Sequence, residues 1–397
     1  MFKYLTTTRV IFFALALPFI FSSCDKDEPK PEPTTSTTPA LRDKVEYSTL
    51  TSTTSYVNTF KDDNNDTTVD RREGQTRLRM IKAIDAYAKT ASGTGTATLN
   101  ATTFENMFAN QGNAFTGIYA DLNGSLLQVK NVTSASKSYA IAQEVRADFS
   151  QYFQEIATAS ASVANTASKG NAGKLGNYLV DARGIEVGQV LAKSLIGAFQ
   201  LDYIGNLLLD KGLESENSYL VTGKNYTQLE HNWDEAYGVL TLNTIYASDG
   251  THELKPTNEA FLGSYVWEYN SDNAGEGFAK IHPAFLKGRA AVVNNDRNEA
   301  KVQAEIIRRE CEKAIINAAI GYLGKWKTAG STDAARAHAI GEGAGFIYSI
   351  RFCKLSGGDE AFSDKVLADL GLYTGNGFWD LTTEKVNAAI TAIDNKF

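Results

Sequence analysis

The sequence has little of what most often carries covalent frameworks and metal cages: three cysteines, four histidines and seven prolines in 397 residues. Three cysteines, at 24, 311 and 353, cannot build a disulfide scaffold or a Cys-rich zinc module. Positive charge is also short. Lys and Arg number 39 against 46 Asp and Glu, a formal charge of −7, which argues against nucleic acid, whose phosphates demand a basic face. No apolar run reaches the roughly 20 residues needed to cross a bilayer. His-Glu-x-x-His is absent, since His252-Glu253 runs on into Leu-Lys-Pro, and there is no Gly-x-Ser-x-Gly elbow or Walker loop. Sustained period-2 alternation between hairpin turns is missing, so a large sheet is not expected.

What is present starts with an address. Lys3 and Arg9 precede the apolar stretch Val10–Phe21, then come Ser22, Ser23 and Cys24. This has the layout of a secretory leader over residues 1–23. Its end resembles a lipobox, with Cys24 as the acylated residue, although Phe21 stands where Leu is commoner. Asp25-Lys26-Asp27-Glu28 resembles the export signal of Bacteroidota-type surface lipoproteins. That resemblance implies a lipid-anchored protein on the outward face of the outer membrane. Residues 24–45 read as an extended tether, because four of the seven prolines (29, 31, 33, 39) fall there among Thr and Ser.

The whole chain is 43% hydrophobic and 21% charged, ordinary globular usage, and its body is residues 46–397. It holds only Pro256 and Pro283, which suits long helices. Apolar spacing predicts helices over 76–90, 134–159, 184–209, 227–246, 259–269, 295–325, 332–355 and 383–395. In 295–325 the inward set is Ile306, Ile307, Ile315, Ile316 and Ile320. Asp333 and Thr382 are expected N-caps. The fold class is therefore an all-α multi-helix bundle, either one unit or two fused pseudo-repeated bundles.

Four features could carry chemistry. In Tyr226–Gly238, His231 and Glu235 are i and i+4 on one helix face and could converge on a metal ion or simply pair; Asp234 is a third oxygen donor. Ala337–Ile347 repeats the spacing: aligning His231 with His338 also aligns Glu235 with Glu342 and Gly238 with Gly345. This hints at an internal duplication. Glu186, Gln189 and Lys193 share one face of an otherwise apolar helix and must find partners if buried; Glu186 could meet either histidine. Asp62, Asn64, Asp66, Thr68, Asp70 and Glu73 fit a calcium loop, with Thr67 in the glycine position; Asp66-Thr67-Thr68 alternatively resembles an O-glycosylation site. Cys311 and Cys353 read as core residues that could pair.

The His231–Gly238 segment, with Gly74–Met80 and Gly184–Ala198, resembles domain-of-unknown-function family 4856, a lipoprotein family with no assigned activity. More remotely, the chain is similar to imelysin-like proteins, helical two-bundle proteins associated with iron uptake, some described as metallopeptidases. Their motif is Gly-x-His-x-x-Glu; here Leu229 replaces the glycine and Asp234 the acid. The expected function is a surface-anchored lipoprotein that binds a metal, iron or zinc, linked to iron acquisition. His231, Glu235, Asp234, Glu186, His338 and Glu342 are the candidate ligands, and calcium is the candidate at Asp62–Glu73. The alternatives are a metal-dependent, peptidase-like hydrolase, and a non-catalytic scaffold or glycan-binding partner of an outer-membrane transporter, which would expose an aromatic patch; Trp233, Trp267, Trp326 and Trp379 are candidates for it, though most of them should be core.

Overall fold

A computed structural model describes residues 41–51, 53–243, 260–269, 276–328 and 330–397. The leader, Cys24, most of the tether and His252 lie outside the described residues.

Helices dominate because apolar side chains recur at helical spacing and the ends are capped. Helix α1, Arg72–Lys89, buries Leu78, Ile81 and Ile84 completely. Then come α2 (Ala101–Phe108) and α3 (Tyr139–Ser160), which pack together through stacked Phe104 and Phe153. Helix α4, Val187–Leu195, runs on into a π-helical stretch, Ile196–Leu208. Such wide turns are rare and mostly single; here the stretch is almost wholly buried. Helix α5, Gln228–Leu240, opens on a capping box in which Thr227 and Glu230 satisfy each other's backbone. Next come α6 (Phe261–Tyr269), α7 (Glu276–Val293), α8 (Arg297–Trp326) and α9 (Asp333–Ser349). Helices α10 (Glu360–Leu370) and α11 (Thr383–Lys396) follow.

The long α8 packs against α6, α7, α9, α11 and the π-helical stretch. Ala40–Phe397 holds together as one unit, around a continuous apolar core. The all-α bundle is thus observed, as one unit rather than two separable bundles. Among the described residues the only sheet is a hairpin of β1 (Gly173–Leu175) and β2 (Tyr178–Val180). No helix among them is long and apolar enough to cross a membrane.

Several expectations need correction. Three helices, α2, α7 and α10, were not anticipated from spacing. Pro283 lies inside α7, where a proline normally signals an interruption. Thr382 is an N-cap, but Thr332 rather than Asp333 caps α9. Ile306 is 36% exposed while Ile307 is fully buried, because at that turn only one side of α8 meets the core, whereas further along Ile315 and Ile316 are both buried. Cys311 and Cys353 are buried and unpaired. Trp233, Trp267 and Trp326 are buried, in keeping with the expectation that most of the four tryptophans are core.

Candidate functional site

Helices α1 and α5 lie unusually close. A Cβ on Gly74 would stand 2.6 Å from the Val239 amide nitrogen, and one on Gly238 only 3.1 Å from the Arg71 Cβ. This approach seats the first turn of α1 on the second half of α5, from Glu235 to Val239. Glu73, His231 and Glu235 then each offer one ligand atom within 4.8 Å of the others, the only such group of three among the described residues. His231 Nε2 is 3.9 Å from Glu235 Oε2, and its Nδ1 is buried with no hydrogen-bond partner.

Neighbours fix this group from three sides. Arg77, one turn along α1, pairs with Glu235 and stands 3.5 Å from Glu73. Tyr203, from the π-helical stretch, donates a 3.0 Å hydrogen bond to the same Glu235 oxygen. Tyr226 stacks on the His231 ring at 4.9 Å and 11°. Burial pushes the Glu235 carboxyl up, and the charges of Arg77 and His231 oppose it. Beside His231 opens a cleft of about 620 Å³, lined also by Lys211, Lys224 and Gln228. An imidazole with a free nitrogen and two carboxylates, one already neutralised by a guanidinium, can accept a proton or hold a cation.

The second His-x3-Glu pair sits elsewhere, where α9 meets α4. Glycines again permit the contact: a Cβ on Gly345 would stand 2.6 Å from the Lys193 Cβ, and one on Gly341 3.1 Å from the Glu186 carbonyl oxygen. His338 Nδ1 lies 2.6 Å from Glu186, and its Nε2 is 3.5 Å from Glu342. Lys193 pairs with Glu342 at 3.0 Å. Tyr178 stacks on His338 at 4.3 Å and 14°. Burial disfavours the charged ring, but the Glu186 hydrogen bond and the two carboxylates outweigh it, so His338 is held above its ordinary pKa. Burial also raises Glu186.

The parallels extend further than the sequence pattern. Both histidines carry a stacked tyrosine, and both motif glutamates carry a cation from the facing helix. Each of those cations lies over another tyrosine ring, Arg77 over Tyr203 and Lys193 over Tyr265. Upstream of each facing helix, an Asp folds its own Arg back: Asp70 with Arg72 and Asp181 with Arg183.

Other expected ligands do not join. Asp234 points away from His231 into a buried network. There, fully buried Arg289 donates at 2.9 Å to both Asp234 and Glu230, and Tyr56 donates to Asp234 at 2.7 Å. Three residues on from His231, Asp234 falls about 60° short of a full turn, while Glu235 at four passes it by about 40°, so the two acids flank His231 on opposite sides. Glu186 meets His338, not His231, so His338 and Glu342 do not complete the first group. The calcium-loop residues do not form one cage. Asp62 is spent on the amides of Asn64 and Asp66 and on Asn225. Thr68 is buried against the Phe60 carbonyl. Arg72 holds Asp70, lowering its pKa to about 2. Glu73, carried onto α1, faces His231 instead. The sequence pattern thus points to Glu73, but as a calcium-loop ligand, and it gives no role to Arg77, Tyr203 or Tyr226. Arg77 at i+4 from Glu73 was the available signal.

These features define a helical protein whose two His-x3-Glu helices each dock, through glycines, on an acid-bearing helix. The chain belongs to the family defined by a domain of unknown function, DUF4856, whose model matches residues 55–397. No curated protein and no solved structure matches the chain.

Proposed function

We propose that this is a lipid-anchored protein of the outward-facing outer membrane that binds one metal ion, iron or zinc, through Glu73, His231 and Glu235. One observation carries the metal reading: one ligand atom each from Glu73, His231 and Glu235 lies within 4.8 Å of the others, with His231 Nε2 3.9 Å from Glu235 and the ring's Nδ1 also without a hydrogen-bond partner. Buried polar atoms are rarely left without a partner. One imidazole and two carboxylates suit iron or zinc better than a soft ion. Arg77 competes with the ion for Glu235 and moderates affinity, as a protein that hands its metal on requires. An outer-membrane transporter is the partner this reading implies. The anchoring rests on the leader, Cys24 and the acidic segment after it.

The test is metal titration of the demetallated protein against a coloured chelator, with Fe²⁺ and with Zn²⁺. One ion per chain is expected, lost in Glu73→Gln with the helical circular dichroism unchanged. Equal uptake by that variant overturns the reading. The cleft beside His231 supports one second reading, a metal-dependent hydrolase with an open coordination position; turnover of a peptide library that a chelator abolishes distinguishes it.

A further inference from the structure

The cleft beside the α1–α5 group is far larger than one ion needs. At about 620 Å³ it has the size of a small-molecule site, and Glu73, His231 and Glu235 form part of its wall. Three protein donors leave at least one position open on a four-coordinate zinc, and more on a six-coordinate ion.

The rest of the wall favours an anion. Lys211 and Lys224 line it, and Glu73 and Glu235 are the only carboxylates among its described residues. Both of those carboxylates already share Arg77. Neither lysine forms an ion pair among the described residues. Lys211 donates to the Ser136 carbonyl oxygen at 2.6 Å, which occupies one of its three N–H groups. Lys224 Nζ stands 5.6 Å from the centre of the Tyr226 ring, the ring stacked on His231. Lys224, Tyr226 and His231 therefore make one side of the cleft. A divalent ion on the triad joins Arg77 and two lysines against two carboxylates, so the loaded cleft is positive and attracts negative charge. Leu207 and Val221 add aliphatic surface to the same wall. That surface suits an anion with a carbon frame and gives inorganic phosphate nothing to cover.

We propose that the metal ion is held here together with a small aliphatic di- or tricarboxylate, an inference that rests on the metal reading above. One carboxylate takes an open position on the ion. The others reach Lys211 and Lys224, and the carbon frame lies against Leu207 and Val221. The cargo is then a metal chelate rather than a bare ion.

The experiment is calorimetric titration of the full chain, demetallated and zinc-loaded, with tricarballylate, its trimethyl ester and inorganic phosphate, with bound zinc counted before and after. Saturable one-to-one binding of tricarballylate to the loaded protein is expected, at least tenfold tighter than to the demetallated protein and than phosphate, with none of the ester. Lys224→Gln should weaken it by about fivefold and Lys211→Gln/Lys224→Gln by tenfold or more, with one zinc per chain and the helical circular dichroism kept. If no zinc is taken up at the outset, the metal reading fails and this inference falls with it. If one zinc is taken up, this inference alone is overturned by any of three results: no saturable tricarballylate binding below about 10 mM, phosphate or ester binding equally well, or affinity unchanged in the double variant.

Discussion

The two His-x3-Glu helices share spacing, a tyrosine stack, a facing acid and a cation on the glutamate, yet their histidines are in different states. His338 is saturated, with Glu186 on one nitrogen and Glu342 near the other. His231 has a buried nitrogen with nothing on it and an open cleft alongside. The difference traces to one helical position. Asp234 aligns with Gly341. Gly341 lets α9 settle onto the Glu186 backbone, so that Glu186 reaches the ring. Asp234 instead ties α5 to Arg289 in the core, and the acid facing His231, Glu73, stays close without bonding to it. The same motif therefore serves as a closed structural pair in one place and as an open donor set in the other.

The largest effect should come from that divergent position. Asp234→Ala leaves Arg289 with Glu230 as its one carboxylate partner and strips the buried Tyr56 hydroxyl of its acceptor, and should cost about 3 kcal/mol in denaturant unfolding. If Asp234 served the His231 group instead, stability would hold and metal uptake would fall. Next come the close contacts common to both pairs. Gly238→Ala and Gly345→Ala should each cost about 1–3 kcal/mol, because a methyl group must displace backbone or Cβ atoms of the facing helix. A loss in one variant only would show that the two helix pairs are not equivalent.

The smallest effects are in pH, and they have opposite signs. Asp70, close to the first pair, has a folded pKa depressed to about 2 from 3.8. Its contribution is full above 3.8 and is lost as pH falls through about 2. His338 has a folded pKa raised above 6.5. Its contribution is full below 6.5 and is lost as pH rises through the folded value. Unfolding midpoints measured across pH should therefore show an acid loss that Asp70→Asn removes and an alkaline loss that His338→Gln removes. Swapped or absent dependences would contradict the assignment.

The sequence made the bundle legible because helical apolar spacing is a strong local signal, as at Leu78, Ile81 and Ile84. It hid α7 because Pro283 reads locally as a break, while tertiary packing around His282 and Phe285 holds the helix together. The motif residues His231, Glu235, His338 and Glu342 were legible through repetition. Their partners were not, because pairing depends on which helices meet. Glu186 fits either histidine on paper, and only the Gly341–Gly345 contact assigns it to His338. Glu73 looked like the last ligand of a calcium loop, until the start of α1 at Arg72 carried it onto a helix face. Asp234 and Glu235 are adjacent in sequence, yet about 100° apart around a helix, which sends one to the core and the other to the cleft.

The most direct measurement is elemental analysis by mass spectrometry on the purified protein, beside His231→Ala and His338→Ala, each reloaded with iron and with zinc. The account predicts one metal ion per chain in the wild type, the same in His338→Ala, and none in His231→Ala. Metal lost equally in both variants, or no metal in any of the three, would contradict it.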